Sequence, residues 1–249
     1  MRCAQDFMVE VPVLKLTDQI TKARQILRDL RFREVYVTDA RKVLLGYVDI
    51  TDALRVTATK SNVTLEGYIK DAAHVSGDAE VEKVAKLLRE FRTDSVAIVN
   101  GQEHIAGGVL LSAVFPVIIS RNELRGLVSD HMTKKVVTAT PDEPLQKIYS
   151  MIVESGFTAF PVVKKQKLVG LASRRDLISS HRIRTGIAQN NHATIEDVMV
   201  KEIITIAPDE YISTAAELMV KHDVSRLPVI DGTGLVGIVD RHDVLAGMV

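Results

Sequence analysis

The chain has 249 residues, 32 Lys plus Arg against 32 Asp plus Glu, 46% apolar residues and 26% charged ones. Balanced charge argues against nucleic-acid steering by the protein as a whole, and the composition is far from that of a disordered chain. A lone cysteine, Cys3, rules out an intramolecular disulfide framework and an all-cysteine zinc site, and the absence of Trp argues against stacked-aromatic nucleic-acid platforms. Residues 1–10 carry Asp6 and Glu10 and no apolar signal core, and the apolar run 113–119 is far too short to span a bilayer. The expectation is a soluble, cytoplasmic protein.

Taken in chain order, the predicted elements repeat. Residues 18–30 place Ile20, Ala23, Ile26, Leu27 and Leu30 on one helical face, and strand-like runs follow at 34–38 and 43–49. Residues 79–91 do the same with Val81, Val84, Leu87, Leu88 and Phe91, before runs at 95–99 and 105–111. A short polar junction, 121–126, separates the halves. A strand at 136–139 then leads into Pro141-Asp-Glu143, a helix start with acids in the first turn, and a helix with Leu145, Ile148, Met151 and Ile152 inward. Strands 160–163 and 168–171 flank the turn 164–167. The last copy runs the same way: strand 203–206, Pro208-Asp-Glu210, Ile212, Ala215, Ala216 and Met219, strands 227–230 and 236–239 about the turn 231–234, and a closing helix at 241–247.

The last two copies align at a fixed offset of 67 without a gap, from Asp130-His-Met132 on Asp197-Val-Met199 to Arg175-Asp-Leu177 on His242-Asp-Val244. The plan is α/β: four β-α-β-β-α repeats over 1–60, 61–120, 125–185 and 190–249, the second the most eroded.

These marks resemble the cystathionine-β-synthase (CBS) domain family: the Asp-x-Met opening, the Pro-Asp-Glu helix start, the Pro-Val strand, and Gly-x-x-[Ser/Thr]-x-x-Asp at the last strand-to-helix turn. Gly170-Leu-Ala-Ser173-Arg-Arg-Asp176 matches fully. Gly237-Ile-Val-Asp240-Arg-His-Asp243 and Gly46-Tyr-Val-Asp49-Ile-Thr-Asp52 match except for Asp at the hydroxyl position. The resemblance implies repeats paired into two pseudo-two-fold Bateman modules, one with two and three with four. It is similar to the gamma subunit of AMP-activated protein kinase and to stand-alone archaeal CBS proteins.

The same resemblance implies adenosyl ligands such as AMP, ADP, ATP or S-adenosylmethionine, bound in clefts between paired repeats, with no other cofactor required. Asp176 would take the ribose hydroxyls and Ser173, beside Arg174, a phosphate. The edges Lys135, Val136, Val137, Thr138 and Thr158, Ala159, Phe160, Pro161 would flank the adenine. In repeat four the counterparts are Ile203, Ile204, Thr205, then Ser225, Arg226, Leu227, Pro228, and Asp243. Asp240 repels a phosphate unless Arg241 and Arg226 offset it. Helix capping alone also accounts for carboxylates at 176 and 243.

The expected function is therefore a non-enzymatic sensor that passes ligand occupancy to an unknown protein effector, as a homodimer. A nucleic-acid module, suggested only by the basic segment 174–192, is not favoured; a structural module with partly dead clefts is the other alternative. None of the seven His forms a His-x-x-x-His pair, and no nucleophile elbow or phosphate loop occurs. No metal site or catalytic residue is expected.

Overall fold

The computed structural model describes residues 2–27, 32–49, 52–53, 63–155, 157, 159–173, 193–232 and 234–249. Two compact units, Met1–Asn122 and Glu123–Val249, divide the chain within the predicted junction.

Unit 1 holds β1 (Val13–Lys15), α1 (Ile20–Ile26), β2 (Glu34–Thr38) and β3 (Leu44–Asp49), then β4 (His74–Ser76), α2 (Val81–Phe91), β5 (Ser95–Val99), β6 (Ile105–Leu110) and α3 (Leu111–Arg121). Each repeat forms a three-stranded sheet, β1-β2-β3 or β4-β5-β6, whose first pair is parallel and second antiparallel. The middle strands are buried along their whole length, including Glu34, Thr38 and Ser95 at their ends. Helix α2 buries Val81, Val84, Ala85 and Leu88; of the predicted face, Leu87 is only half-buried and Phe91 is exposed. Helix α3 buries Leu111, Val114, Phe115 and Ile118.

Unit 2 holds α4 (Val128–His131), α5 (Leu145–Ser155), β7 (Ala159–Lys164) and β8 (Lys167–Ser173), then α6 (Ile212–Lys221), β9 (Arg226–Asp231), β10 (Gly234–Asp240) and α7 (Arg241–Ala246). The predicted strands 136–139 and 203–206 are corrected here. Each shrinks to one parallel bridge, Ala139 with Val162 and Ile206 with Val229. Proline is the cause. In unit 1 the next rung is Tyr36 N–H to Pro12 O at 3.0 Å, or Ala97 N–H to Ala73 O at 2.9 Å. The corresponding donors in unit 2 belong to Pro161 and Pro228, which have no N–H, so the ladder stops.

The helix starts also differ from expectation. Pro141-Asp-Glu143 and Pro208-Asp-Glu210 form the turn before each helix, and neither helix has an acid in its first turn. Glu143 closes its turn by accepting from Thr140 N at 2.9 Å. The next residues, Pro144 and Tyr211, bridge to Thr194 and Leu127 of the partner repeat, so the helices begin only after them.

The repeats of each unit exchange their opening segments. Val9 bridges Gly108 and Lys70 bridges Tyr47 in unit 1; Thr133 bridges Ile238 and Val200 bridges Leu171 in unit 2. This explains two motifs at once. The Asp of Asp-x-Met accepts from the residue three before it, Asp130 from Leu127 N and Asp197 from Thr194 N, both at 2.8 Å. The Met then lies over the glycine of the partner's last strand. A Cβ on Gly237 would stand 2.4 Å from Met132 Sδ, and one on Gly170 2.4 Å from Met199 Sδ. Repeat one carries the same signal as Asp6-Phe-Met8, with Asp6 accepting from Cys3 N at 2.8 Å.

No helix among the described residues is long and apolar enough to cross a membrane.

Candidate functional site

Unit 2 has the two best candidates, and the cleft of repeat four lies wholly within the described residues. Its base is the first half of β9. Arg226 pairs with Asp240 across the antiparallel ladder. On the other edge, the Ile206–Val229 bridge carries a register that brings Ile204 level with Leu227. The carbonyl of Ile204 is where the missing Pro228 N–H would have donated. An acceptor released from the sheet therefore sits at the same end of β9 as the Asp240–Asp243 turn. Repeat three repeats this arrangement: Pro161 leaves the carbonyl of Val137 without its ladder donor, and Ala159 pairs with Ser173.

The side chains divide into packing and surface. Phe160 and Leu227 are fully buried, and Ala159, Pro161 and Pro228 are buried too. They shape the cleft from beneath. Lys135, Val137, Thr138, Thr205 and Ser225 are exposed, with Val136, Ile203, Ile204, Arg226 and Ser173 half-buried. Thr158, Arg174 and Asp176, with the rest of the basic segment 174–192, lie outside the described residues.

Asp240 and Asp243 form a capping box. Asp240 Oδ1 accepts from His242 N at 2.9 Å and Asp243 N at 3.1 Å, while Asp243 Oδ2 accepts from Asp240 N at 3.0 Å. Asp243 is 7% exposed and stands at the third helical position, so Asp240, and not Asp243, is the N-cap. Two of the first amides of α7, the groups a phosphate would use, already bond Asp240. The Arg241 guanidinium donates to Val224 O at 3.3 Å and lies 3.8 Å from Asp223, in the turn after α6. The backbone N of Arg241 bonds Ser225 O at 3.2 Å, which ties the start of α7 to the edge of β9.

The clefts of unit 1 are built differently. In repeat two Leu110 caps α3 and Ala113 holds the place of Asp243, so no carboxylate is present. In repeat one the carbonyl of Pro12 is taken by Tyr36 N. A buried polar chain joins the two repeats. Glu34 Oε1 accepts from the Thr93 hydroxyl and from Asp94 N at 2.9 Å, Glu34 Oε2 accepts from the Ser95 hydroxyl, and the Tyr36 hydroxyl lies 2.6 Å from Ser95 Oγ. Burial, and after it the Asp94 carboxylate, holds the Glu34 carboxyl above its ordinary range against these three donors.

The sequence pattern missed the residues that the exchanged segments deliver, Lys70, Thr133 and Val200. Their signal is spatial: each opens its own repeat but pairs with its partner's last strand. Among the described residues, no group of three or more His, Cys, Asp and Glu could hold a metal.

Comparison with known proteins agrees with this geometry. A family model described as the CBS domain matches residues 128–181 and 195–249. CBS domain-containing protein YhcV of Bacillus subtilis is 31% identical over 116 residues, 47% of this chain and 81% of that protein. MJ1225 of Methanocaldococcus jannaschii is 25% identical over 177 residues, 68% of this chain and 63% of that protein, so the match spans less than two thirds of that relative. The crystal structure of MJ1225 superposes with a TM-score of 0.74 at 20% identity, covering 98% of this chain and 99% of that one. A Pyrococcus horikoshii protein of uncharacterized function gives 0.66 at 20% identity over 98% and 99%.

Proposed function

We propose that this chain, which belongs to the CBS-domain family, is a non-enzymatic regulatory protein that binds adenosyl ligands in unit 2. One observation carries the reading: Pro161 and Pro228 each free an edge carbonyl, in repeat four at the end of β9 beside Asp240 and Asp243. A peptide carbonyl can accept from an exocyclic amine, and a carboxylate on the adjoining turn can accept from a ribose diol. The family resemblance supplies the adenosyl class; AMP, ADP, ATP and S-adenosylmethionine all fit it. Ser173 suits a 5′-phosphate in the third cleft. Asp240 disfavours one in the fourth, which suits an uncharged or cationic 5′ group.

Unit 1 reads as a structural partner. Its edge carbonyls are bonded, its second cleft lacks the motif, and the Glu34 chain fastens its repeats together. Occupancy of unit 2 would act on an effector only through a difference in affinity between two arrangements of the repeats.

Thermal unfolding with and without AMP, ADP, ATP and S-adenosylmethionine tests the reading. A ligand at 100 times its Kd is expected to stabilise the protein by about 2.7 kcal/mol. The stabilisation should diminish in Asp176→Ala and Asp243→Ala. Because Asp243→Ala also breaks the capping box, at a cost of about 1 kcal/mol, the ligand-induced shift is compared rather than the melting temperature itself. No shift with any of the four would end the sensor reading.

Pro228→Ala tests the edge. It returns an N–H opposite Ile204 O, so the residue 228 amide should become protected from hydrogen exchange. Affinity in the fourth cleft should fall about tenfold, the loss of one hydrogen bond's worth of free energy. Protection gained with affinity unchanged would show that the Ile204 carbonyl holds no ligand.

A further inference from the structure

Lys70 carries the opening segment of repeat two into repeat one. Its backbone bonds Tyr47 in both directions at 2.9 Å. Asp49 lies two residues further on along β3 and so on the same face. The Lys70 ammonium bonds Asp49 Oδ2 and lies 2.7 Å from Asp52 Oδ2. These are the motif carboxylates of repeat one, the counterparts of Asp240 and Asp243. Asp49 Oδ1 also accepts from Asp52 N at 3.0 Å, as an N-cap does. Burial alone would lower the Lys70 pKa; the bonds to Asp49 and Asp52 outweigh it and raise the value to about 12, so the cation persists across the physiological range.

The register makes a controlled comparison. The places equivalent to Lys70 are Val9, Thr133 and Val200, which bridge Gly108, Ile238 and Leu171. None of the three carries a charge. Val200 is 46% exposed.

We infer that Lys70 is a specificity-determining residue that occupies the first cleft in place of a ligand, engaging Asp52 as an internal cation. The inference rests on the sensor reading above, because Asp52 counts as a ribose acceptor only under it. A group tethered to its own site acts at an effective concentration of millimolar order, so a nucleotide must displace the ion pair before it reaches Asp52. The ion pair also resolves the repulsion between Asp49 and Asp52 that their spacing would otherwise impose. Cleft one is filled, and its occupant joins the two repeats.

The test counts bound AMP by equilibrium dialysis. K70V/D49S installs the residues found at the same places in cleft three, Val200 and Ser173, so the scaffold already accommodates them. It should bind one more equivalent of AMP than the wild type, about tenfold more weakly than cleft three because Tyr36 N already bonds the Pro12 carbonyl, and adding Asp52→Asn should remove that equivalent. K70R, which keeps the cation, should match the wild type. If K70V/D49S does not fold, Lys70→Thr copies Thr133 and is tested with adenosine, whose missing phosphate spares the Asp49 repulsion; again one more equivalent than wild type is expected.

The outcomes separate the two ideas. Equal counts in wild type and the opened variant, with the wild type binding, overturn the role of Lys70 and leave the sensor reading intact. Binding by the opened variant alone supports Lys70 and overturns the sensor reading for the native clefts. No binding by either overturns both.

Discussion

Gly46→Ala is expected to destabilise unit 1 by about 3 kcal/mol or more, the cost of a clash that packed backbone cannot relieve combined with an unfavourable backbone conformation. Gly46 has φ +153°, and a Cβ there would stand 2.3 Å from Lys70 O and 2.5 Å from Ile69 Cγ2. Lys70 is held by its two bonds to Tyr47, so its carbonyl cannot withdraw without breaking the exchanged pairing. Gly170→Ala makes the contrast. It meets the thioether of Met199, whose flexible end can swing, and should cost about 1 kcal/mol. Hydrogen exchange read separately in the two units checks both. Undiminished protection of unit 1 in Gly46→Ala would show that the opening segment yields more easily than its hydrogen bonds imply.

The second large effect concerns Glu34. Its pKa is raised in the folded protein, chiefly by burial and then by Asp94, whose own carboxylate pairs with Arg33 at 2.9 Å. The folded state therefore holds the Glu34 proton more tightly than the unfolded state does. The resulting stability is complete below the ordinary value of 4.5 and is lost as pH rises through the folded value. Unit 1 should show a falling urea midpoint across that window, and Glu34→Gln should flatten the fall. Glu34→Ala should cost about 3 kcal/mol, because it strands the Thr93 and Ser95 hydroxyls and the Asp94 amide in a buried site. An unchanged pH slope in Glu34→Gln would assign the titration to another group.

The repeat plan was legible in the sequence because it is written locally, in a fixed offset, in helical faces and in glycine positions. The family followed from the same residues. What failed had non-local causes. The strands expected at 136–139 and 203–206 stop at one bridge, and only counting the missing N–H of Pro161 and Pro228 shows why. Those prolines were visible from the start; their consequence appears only when the partner strand is known. The acids of Pro-Asp-Glu were assigned to a helix because acids favour that place, but the pairing of Pro144 and Tyr211 with the other repeat moves the helix start beyond them. Lys70 gave no signal of its role, since the carboxylates it meets are 18 and 21 residues earlier in another repeat.

The exchange of opening segments has a consequence for how the protein comes into being. A ribosome completing repeat one has made a chain whose Gly46 groove is still empty, because Ile69 and Lys70 arrive only with the next repeat. Residues 3–9, in turn, await Gly107 and Gly108 from the far end of the unit. The segment that recurs in the sequence is therefore not the segment that can stand alone. Cooperative folding is expected to begin at the pair, and a cut between repeats would leave two halves, each missing the segment that the other supplies.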